Sequence, residues 1–294
     1  MTATLIEAAR QSSLPITVFS RVLVGIDGSA EALEAARQAA RLHDPNTELM
    51  LLSAWTLPPP VVTAGMTIPW EADAKVAQQR AEQAAAQAQL EIVQLAAAAV
   101  TVERGFGWDA LIREARRGEY TLIAVGSYGS GRALGIISGS TATELLHKAP
   151  CSVLVARASG TAFPRKIVVG VDGSQESELA YAAARELAVR FGSTLWPVVA
   201  TGGQGLDRAA AEAIIDVRYE ELPDRPVNAL VAAAADADLL VVGSRGLHGL
   251  ASVGSVSERV AHRARCSTLV VRNLKQKTRA PVQAGPLSIR SSRV

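Results

Sequence analysis

The chain is poor in aromatics, in cysteine and in long apolar runs, and each shortage removes a class of function. Only 4% of its 294 residues are Phe, Trp or Tyr, too few for the successive stacking platforms that hold single-stranded nucleic acid. No apolar run approaches the roughly 18 residues of a membrane-spanning helix, and no basic-then-apolar leader opens the sequence. The expectation is a cytoplasmic protein with no membrane partner and no specific nucleic acid. The two cysteines, Cys151 and Cys266, suit a reducing compartment. Each precedes a short apolar strand, Ser152–Ala156 or Ser267–Val271, and so reads as a buried structural thiol. His43, His147, His248 and His262 pair with no cysteine at nucleophile spacing and form no metal cluster, so no catalytic residue is assigned. Net charge is +2. From Asn273 to Val294 the basic residues Lys275, Lys277, Arg279, Arg290 and Arg293 have no acidic counterpart, which reads as a basic disordered tail.

What is present is alternation. Val22–Ile26 is a β-branched apolar run, followed by Leu33, Ala36 and Ala40 at helical spacing. Glu48–Trp55 reads as a second strand, and a long connection runs from Pro58 to Pro69. A helix is expected over Glu71–Ala99, a strand over Val100–Arg104, a helix over Trp108–Arg117 and a strand over Leu122–Val125. A glycine-rich loop, a helix through His147 and the strand Ser152–Ala156 close the unit. Strands alternating with helices predict a parallel, doubly wound sheet, in which ligands lie beyond the carboxyl ends of the strands where the strand order reverses.

The pattern then repeats. Asp172 restates Asp27 at an offset of 145, Gly243 restates Gly126 at 117, and Cys266 restates Cys151 at 115. The second unit loses 28 residues before its loop, mainly from the crossover, where Thr201–Ala213 alone remains. The fold class expected is α/β, two tandem Rossmann-like doubly wound domains, each a five-stranded parallel sheet flanked by helices. The expected boundaries are an extension over 1–20, a first domain over 21–157, a linker over 158–164, a second domain over 165–272 and the tail over 273–294.

The residues that carry chemistry gather in Gly126–Thr141, GSYGSGRALGIISGST. The spacing G-x2-G-x9-G-S is neither the P-loop nor the dinucleotide fingerprint. Gly126 and Gly129 let backbone approach a ligand without a Cβ between them. Gly139-Ser140-Thr141 opens a helix, so its N–H and hydroxyl groups face the place where a phosphate would lie, and Arg132 adds charge. Thr141-Ala142-Thr143-Glu144 also fits a capping box, which would set a carboxylate near the same phosphates. Asp27 is open to two readings, a turn former bonding nearby N–H groups or a contact to a nucleotide.

That spacing, together with Val24-Gly25-Ile26-Asp27-Gly28-Ser29, resembles the universal stress protein family, and the resemblance covers nearly the whole chain because it occurs twice. It implies a base held among Gly25, Ile26, Asp27, Ala54, Val125 and Gly126, with Asp27 on the ribose or adenine edge. Phosphates would meet Gly129, Arg132, Gly139, Ser140 and Thr141. In the second domain the matching positions are Gly170, Val171, Asp172, Val199, Val242 and Gly243, then Gly246, Gly254, Ser255 and Val256. There the loop is two residues shorter, and Ser255–Glu258 reads as a capping box, so binding in that domain stays open. The implied ligand is ATP, with Mg²⁺ expected beside it but no protein ligand to name for the metal. The implied role is a nucleotide-dependent stress or growth regulator acting through conformational or partner changes. A homodimer is expected, with an unidentified regulatory protein as partner. The last strand of each domain is a candidate for edge pairing between domains or protomers. Two rivals stand beside this reading, an interaction module that binds no nucleotide and a slow ATPase; a dedicated enzyme is not expected.

Overall fold

The computed structural model describes residues 19–43, 47–56, 70–127, 139–160, 162–244 and 256–273, with backbone alone for 70–73. The apolar runs become strands because both faces of a parallel sheet are covered, so the central strands bury mainly Val, Leu, Ile and Ala. In the first half these are β1 (Arg21–Ile26), β2 (Glu48–Trp55), β3 (Ala99–Arg104), β4 (Leu122–Gly126) and β5 (Ser152–Ala156). The second half supplies β6 (Lys166–Gly170), β7 (Thr194–Ala200), β8 (Glu220–Leu222), β9 (Leu239–Gly243) and β10 (Ser267–Val271). All ten lie in one sheet, in the order β3-β2-β1-β4-β5-β10-β9-β6-β7-β8. Every neighbouring pair is parallel except β5 and β10, which run antiparallel with Leu154 opposite Leu269. The final strands of the two repeats therefore pair with each other within the chain, and both are buried along their whole length.

Helices cover the sheet on two sides. On one side lie α1 (Ala30–Leu42) and α2 (Trp70–Glu91), with α5 (Gln175–Phe191) and α6 (Arg208–Ile214) from the second half. On the other lie α3 (Gly107–Arg117), α4 (Ser140–Lys148), α7 (Pro226–Ala233) and α8 (Val256–Arg263). Strand residues alternate between the two cores with the period of 2 that a pleat requires: Val22 and Val24 face α1, while Leu23 faces α3. The helix α2 buries Ala81, Ala84, Ala85 and Ala88, the i, i+3, i+4, i+7 stripe of a helix lying on a sheet.

Three elements differ from the sequence reading. The helix expected to reach Ala99 stops at Glu91, because Ile92 turns extended (φ −120°) and a short 3₁₀ turn, Val93–Leu95, drives Leu95 fully into the core. Continuing the helix would have kept its alanine and glutamine propensity, but burying Ile92 and Leu95 wins. In the second half, β8 and α7 were not assigned from sequence; α7 starts at Pro226, which supplies its own first-turn geometry.

Candidate functional site

The strand order places the reversal between β1, which leads on to β2, and β4, which leads on to β5. Two local features set its shape. After β1 the chain turns through Gly28, whose φ is +81°, a conformation that favours glycine. The Asp27 carboxylate accepts from Ser29 N–H at 3.0 Å and Ser29 Oγ at 2.6 Å, and Ser29 Oγ accepts in turn from Ala32 N–H at 3.2 Å to cap α1. The turn-forming role of Asp27 is thus present. At the end of β4 the first turn of α1 crosses directly over Gly126, where a Cβ would stand 2.7 Å from the Glu31 carbonyl carbon.

Above this junction lies a cavity of about 240 Å³. From the strand ends Gly25, Ile26, Asp27, Ala54, Val125 and Gly126 line it; from the start of α4 come Gly139, Ser140 and Thr141. Positions from four separated stretches of sequence therefore share one space. Gly129 and Arg132 lie outside the described residues. Sequence reasoning missed Ala32, Leu52, Gly107, Leu111 and Ala142, which also line it. Leu52 was readable in principle, since it pairs with Gly25 across β1 and β2. Leu111 fills the space that the absent Gly25 side chain leaves, 2.9 Å from where a Cβ would be; no spacing rule announces that.

The polar end of the cavity is made by helix starts. Gly139 is the N-cap residue of α4 and Phe106 that of α3, and neither helix receives a side-chain cap. The first-turn N–H groups of a helix have no partner within it and carry a partial positive charge. The capping box expected from Thr141 to Glu144 does not form: Thr141 is already inside the helix, and Glu144 reaches forward to Lys148 at 2.6 Å. The carboxylate is thereby drawn along the helix instead of back over its start.

The second half has a smaller counterpart of about 130 Å³, with Gly170, Val171, Asp172, Val242, Gly243 and Val256 in its wall. The expected Val199 is a correction. Val198 and Ala200 line the cavity, while Val199 is buried in the opposite core beside α5 and α6. Gly170 pairs with Val198 as Gly25 pairs with Leu52, so Ala200 stands where Ala54 does, and a slip of one residue reverses the face. Gly246, Gly254 and Ser255 lie outside the described residues. Asp172 repeats the turn of Asp27, accepting from Ser174 N–H at 3.0 Å and Oγ at 2.6 Å. Glu258, the acid of the capping box expected on Ser255, has Oε1 at 2.9 Å from His147 Nε2. Among the described residues no group of three or more His, Cys, Asp or Glu could hold a metal ion.

A doubled, ten-stranded sheet with paired cavities at its reversal points invites comparison with known proteins. The family model described as the universal stress protein family matches residues 19–157 and again 199–272. The chain belongs to the universal stress protein family. It is 31% identical to the universal stress protein Rv2005c of Mycobacterium tuberculosis over 297 aligned positions, covering 85% of this chain and 96% of that one. A second relative from the same organism, the universal stress protein Rv2623, is also 31% identical, with the same coverage. A crystal structure of a universal stress protein from Archaeoglobus fulgidus shares the fold: 21% identity, 86% of this chain and 96% of that one covered, TM-score 0.66. The tandem α/β architecture and membership of a stress-response family are therefore established for this universal stress protein. Among its described residues, no helix is long and apolar enough to cross a membrane.

Proposed function

We propose that this universal stress protein binds ATP in its first cavity and acts as a nucleotide-dependent regulator in the cytoplasm. The observation that carries the reading is the convergence of Asp27, at the end of β1, with the uncapped start of α4 at Gly139–Thr141 on one cavity. A nucleotide fits that gradient, its base against Leu52, Ala54, Leu111 and Val125 and its phosphates toward the helix starts. Mg²⁺ bound with ATP would be carried by the phosphates themselves. Regulation follows if the ligand favours one arrangement of the Gly126–Thr141 segment over another. Association of two chains would use a surface other than the last strands, because β5 and β10 already cover each other's edges.

The test is the nucleotide content of the purified protein, followed by titration. Denatured protein should release adenine nucleotide, and stripped protein should rebind ATP. Ala54→Trp, which fills the base end, should abolish binding, and Thr141→Val, which removes one hydroxyl at the phosphate end, should weaken ATP more than adenosine. Absence of both released and rebound nucleotide would leave the contact-only module as the reading. Phosphate release that tracks bound ATP would point to slow hydrolysis instead.

A further inference from the structure

The two cavities are built on equivalent positions, so their differences are informative. At the base end the walls agree: Gly25 and Gly170, Ala54 and Ala200, Leu111 and Leu230, Val125 and Val242. Leu230 lies 2.9 Å from the Cβ position of Gly170, as Leu111 does from that of Gly25. At the other end they diverge. Where the first cavity has Gly107, at the start of α3, the second has Pro226, at the start of α7. Proline has no N–H to offer and adds a ring. Where the first has Thr141, the second has Val256, which replaces a hydroxyl by a methyl.

The crossover closes the same end. Asp207 N–H donates to the Asp172 carbonyl at 3.0 Å, and Gly202 N–H donates to the Asp224 carbonyl at 3.1 Å. Gly203 packs so tightly on Pro226 that a Cβ there would meet its ring at 2.8 Å. The segment from Gly202 to Asp207 is thus tied at both ends across the cavity, and Gly203, Gln204 and Leu206 form part of its wall. The volume is about 130 Å³ against about 240 Å³. Two alanines of the first cavity, Ala32 and Ala142, are replaced by Ser177 and Ser257; the Ser177 hydroxyl donates to the Ser174 carbonyl at 2.8 Å and accepts from Asp172 N–H at 3.3 Å, which ties down the turn in the cavity wall.

We infer that the second cavity is a site for an unphosphorylated nucleoside and rejects nucleoside polyphosphates, with Pro226 and Val256 as the residues that set this preference. The inference takes the base-to-phosphate direction from the reading of the first cavity. The two sites of one chain then differ in what they accept: the first takes a nucleotide or its nucleoside, the second only the nucleoside left when the phosphates are removed.

Calorimetric titration of the full-length, nucleotide-stripped protein with ATP and with adenosine tests this. Adenosine should bind at two per chain and ATP at one, with ATP at the second cavity weaker than adenosine by about tenfold or more, the scale of one or two lost hydrogen bonds. Ala200→Trp should remove one adenosine and leave the ATP count unchanged. The double variant Pro226→Gly/Val256→Thr should raise the ATP count to two. Two ATP per chain in the unaltered protein, one of them lost in Ala200→Trp, would overturn the inference, as would an adenosine count that Ala200→Trp does not change. If ATP binds nowhere while Ala200→Trp still removes adenosine, the first-cavity reading fails and this one stands.

Discussion

Arg157 and Arg272 occupy equivalent places in the two repeats, and each holds the end of the other repeat's helix. Arg157, just past β5, donates to the Ala261 carbonyl in the last turn of α8 at 2.6 Å and to the Cys266 carbonyl at 3.3 Å. Arg272, just past β10, donates to the carbonyls of Leu146 and Ala149 at the end of α4. The backbone repeats the exchange: Arg157 N–H bonds Ser267 Oγ at 3.0 Å and Arg272 N–H bonds Ser152 Oγ at 3.2 Å. A cation at a helix carboxyl end meets the negative pole of the helix and its unpaired carbonyls. Because α4 and α8 start at the two cavities, each cavity's helix is anchored at its far end by the other repeat.

Removing either arginine should therefore loosen the junction, and unequally. Arg272 is 7% exposed, so Arg272→Ala strands two buried carbonyls and should cost about 2–4 kcal/mol in urea denaturation. Arg157 is half-buried, and water can partly replace it, so Arg157→Ala should cost about 1–2 kcal/mol. Equal effects would mean that the exchange is not what secures the two helices.

The close approach of α1 to β4 makes a second, sharper expectation. Gly126→Ala puts a methyl 2.7 Å from the Glu31 carbonyl carbon, and Gly243→Ala puts one 2.3 Å from the Glu176 carbonyl oxygen. Both obstacles are backbone, so relief requires a helix to move. Each substitution should cost about 1–3 kcal/mol, the second at least as much as the first, by the shift in the urea midpoint. No change at Gly126 would argue against the packing of α1 over the reversal point.

Much of this was legible in the sequence where the signal is local. The strands Glu48–Trp55 and Ser152–Ala156 have the limits their apolar runs suggest, and the repeat placed Asp27 and Asp172 at equivalent turns. What was not legible depends on contacts between distant residues. The capping box at Thr141 has the right letters, but the helix starts earlier, with Gly139 as its N-cap, and Glu144 pairs forward with Lys148. Val199 and Ala200 differ by one position and point into opposite cores, which only the pairing of Gly170 with Val198 decides. A measurement separates them: Val199→Ala should cost about 1–3 kcal/mol of stability and leave adenosine binding unchanged.

The cysteines should be inert in the folded protein. Burial pushes the Cys266 thiol up to about 11, so its reactive thiolate is scarce at neutral pH, and Cys151 is fully buried. The antiparallel register of β5 and β10 sets the two beyond opposite ends of that pair, about 20 Å apart at roughly 3.4 Å per residue. That is far beyond the Cα separation a disulfide allows, about 7 Å at most. A thiol reagent should find neither group within minutes in native protein and both after guanidinium. Fast reaction of one thiol in the folded state would mean that the junction opens.

The junction also predicts how stability depends on pH. His262 Nε2 stands 3.8 Å from Glu258 Oε1, the same oxygen that His147 Nε2 meets at 2.9 Å. Burial is the largest influence on His262 and lowers its pKa below the usual 6.5; Glu258 opposes this, while Arg157 and His147 add to it. A histidine whose folded pKa is depressed binds its proton more readily in the unfolded chain. The folded state therefore keeps its full stability above pH 6.5 and loses it as pH falls from there to the lower folded value, where the loss stops. The slope cannot exceed that of one proton, about 1.4 kcal/mol per pH unit. His262→Gln should flatten this part of the urea-midpoint profile. Glu258→Gln, which removes the one opposing charge, should extend the loss to lower pH. A profile between pH 5 and 7 that is the same in His262→Gln as in the unaltered protein would assign the acid sensitivity to another group.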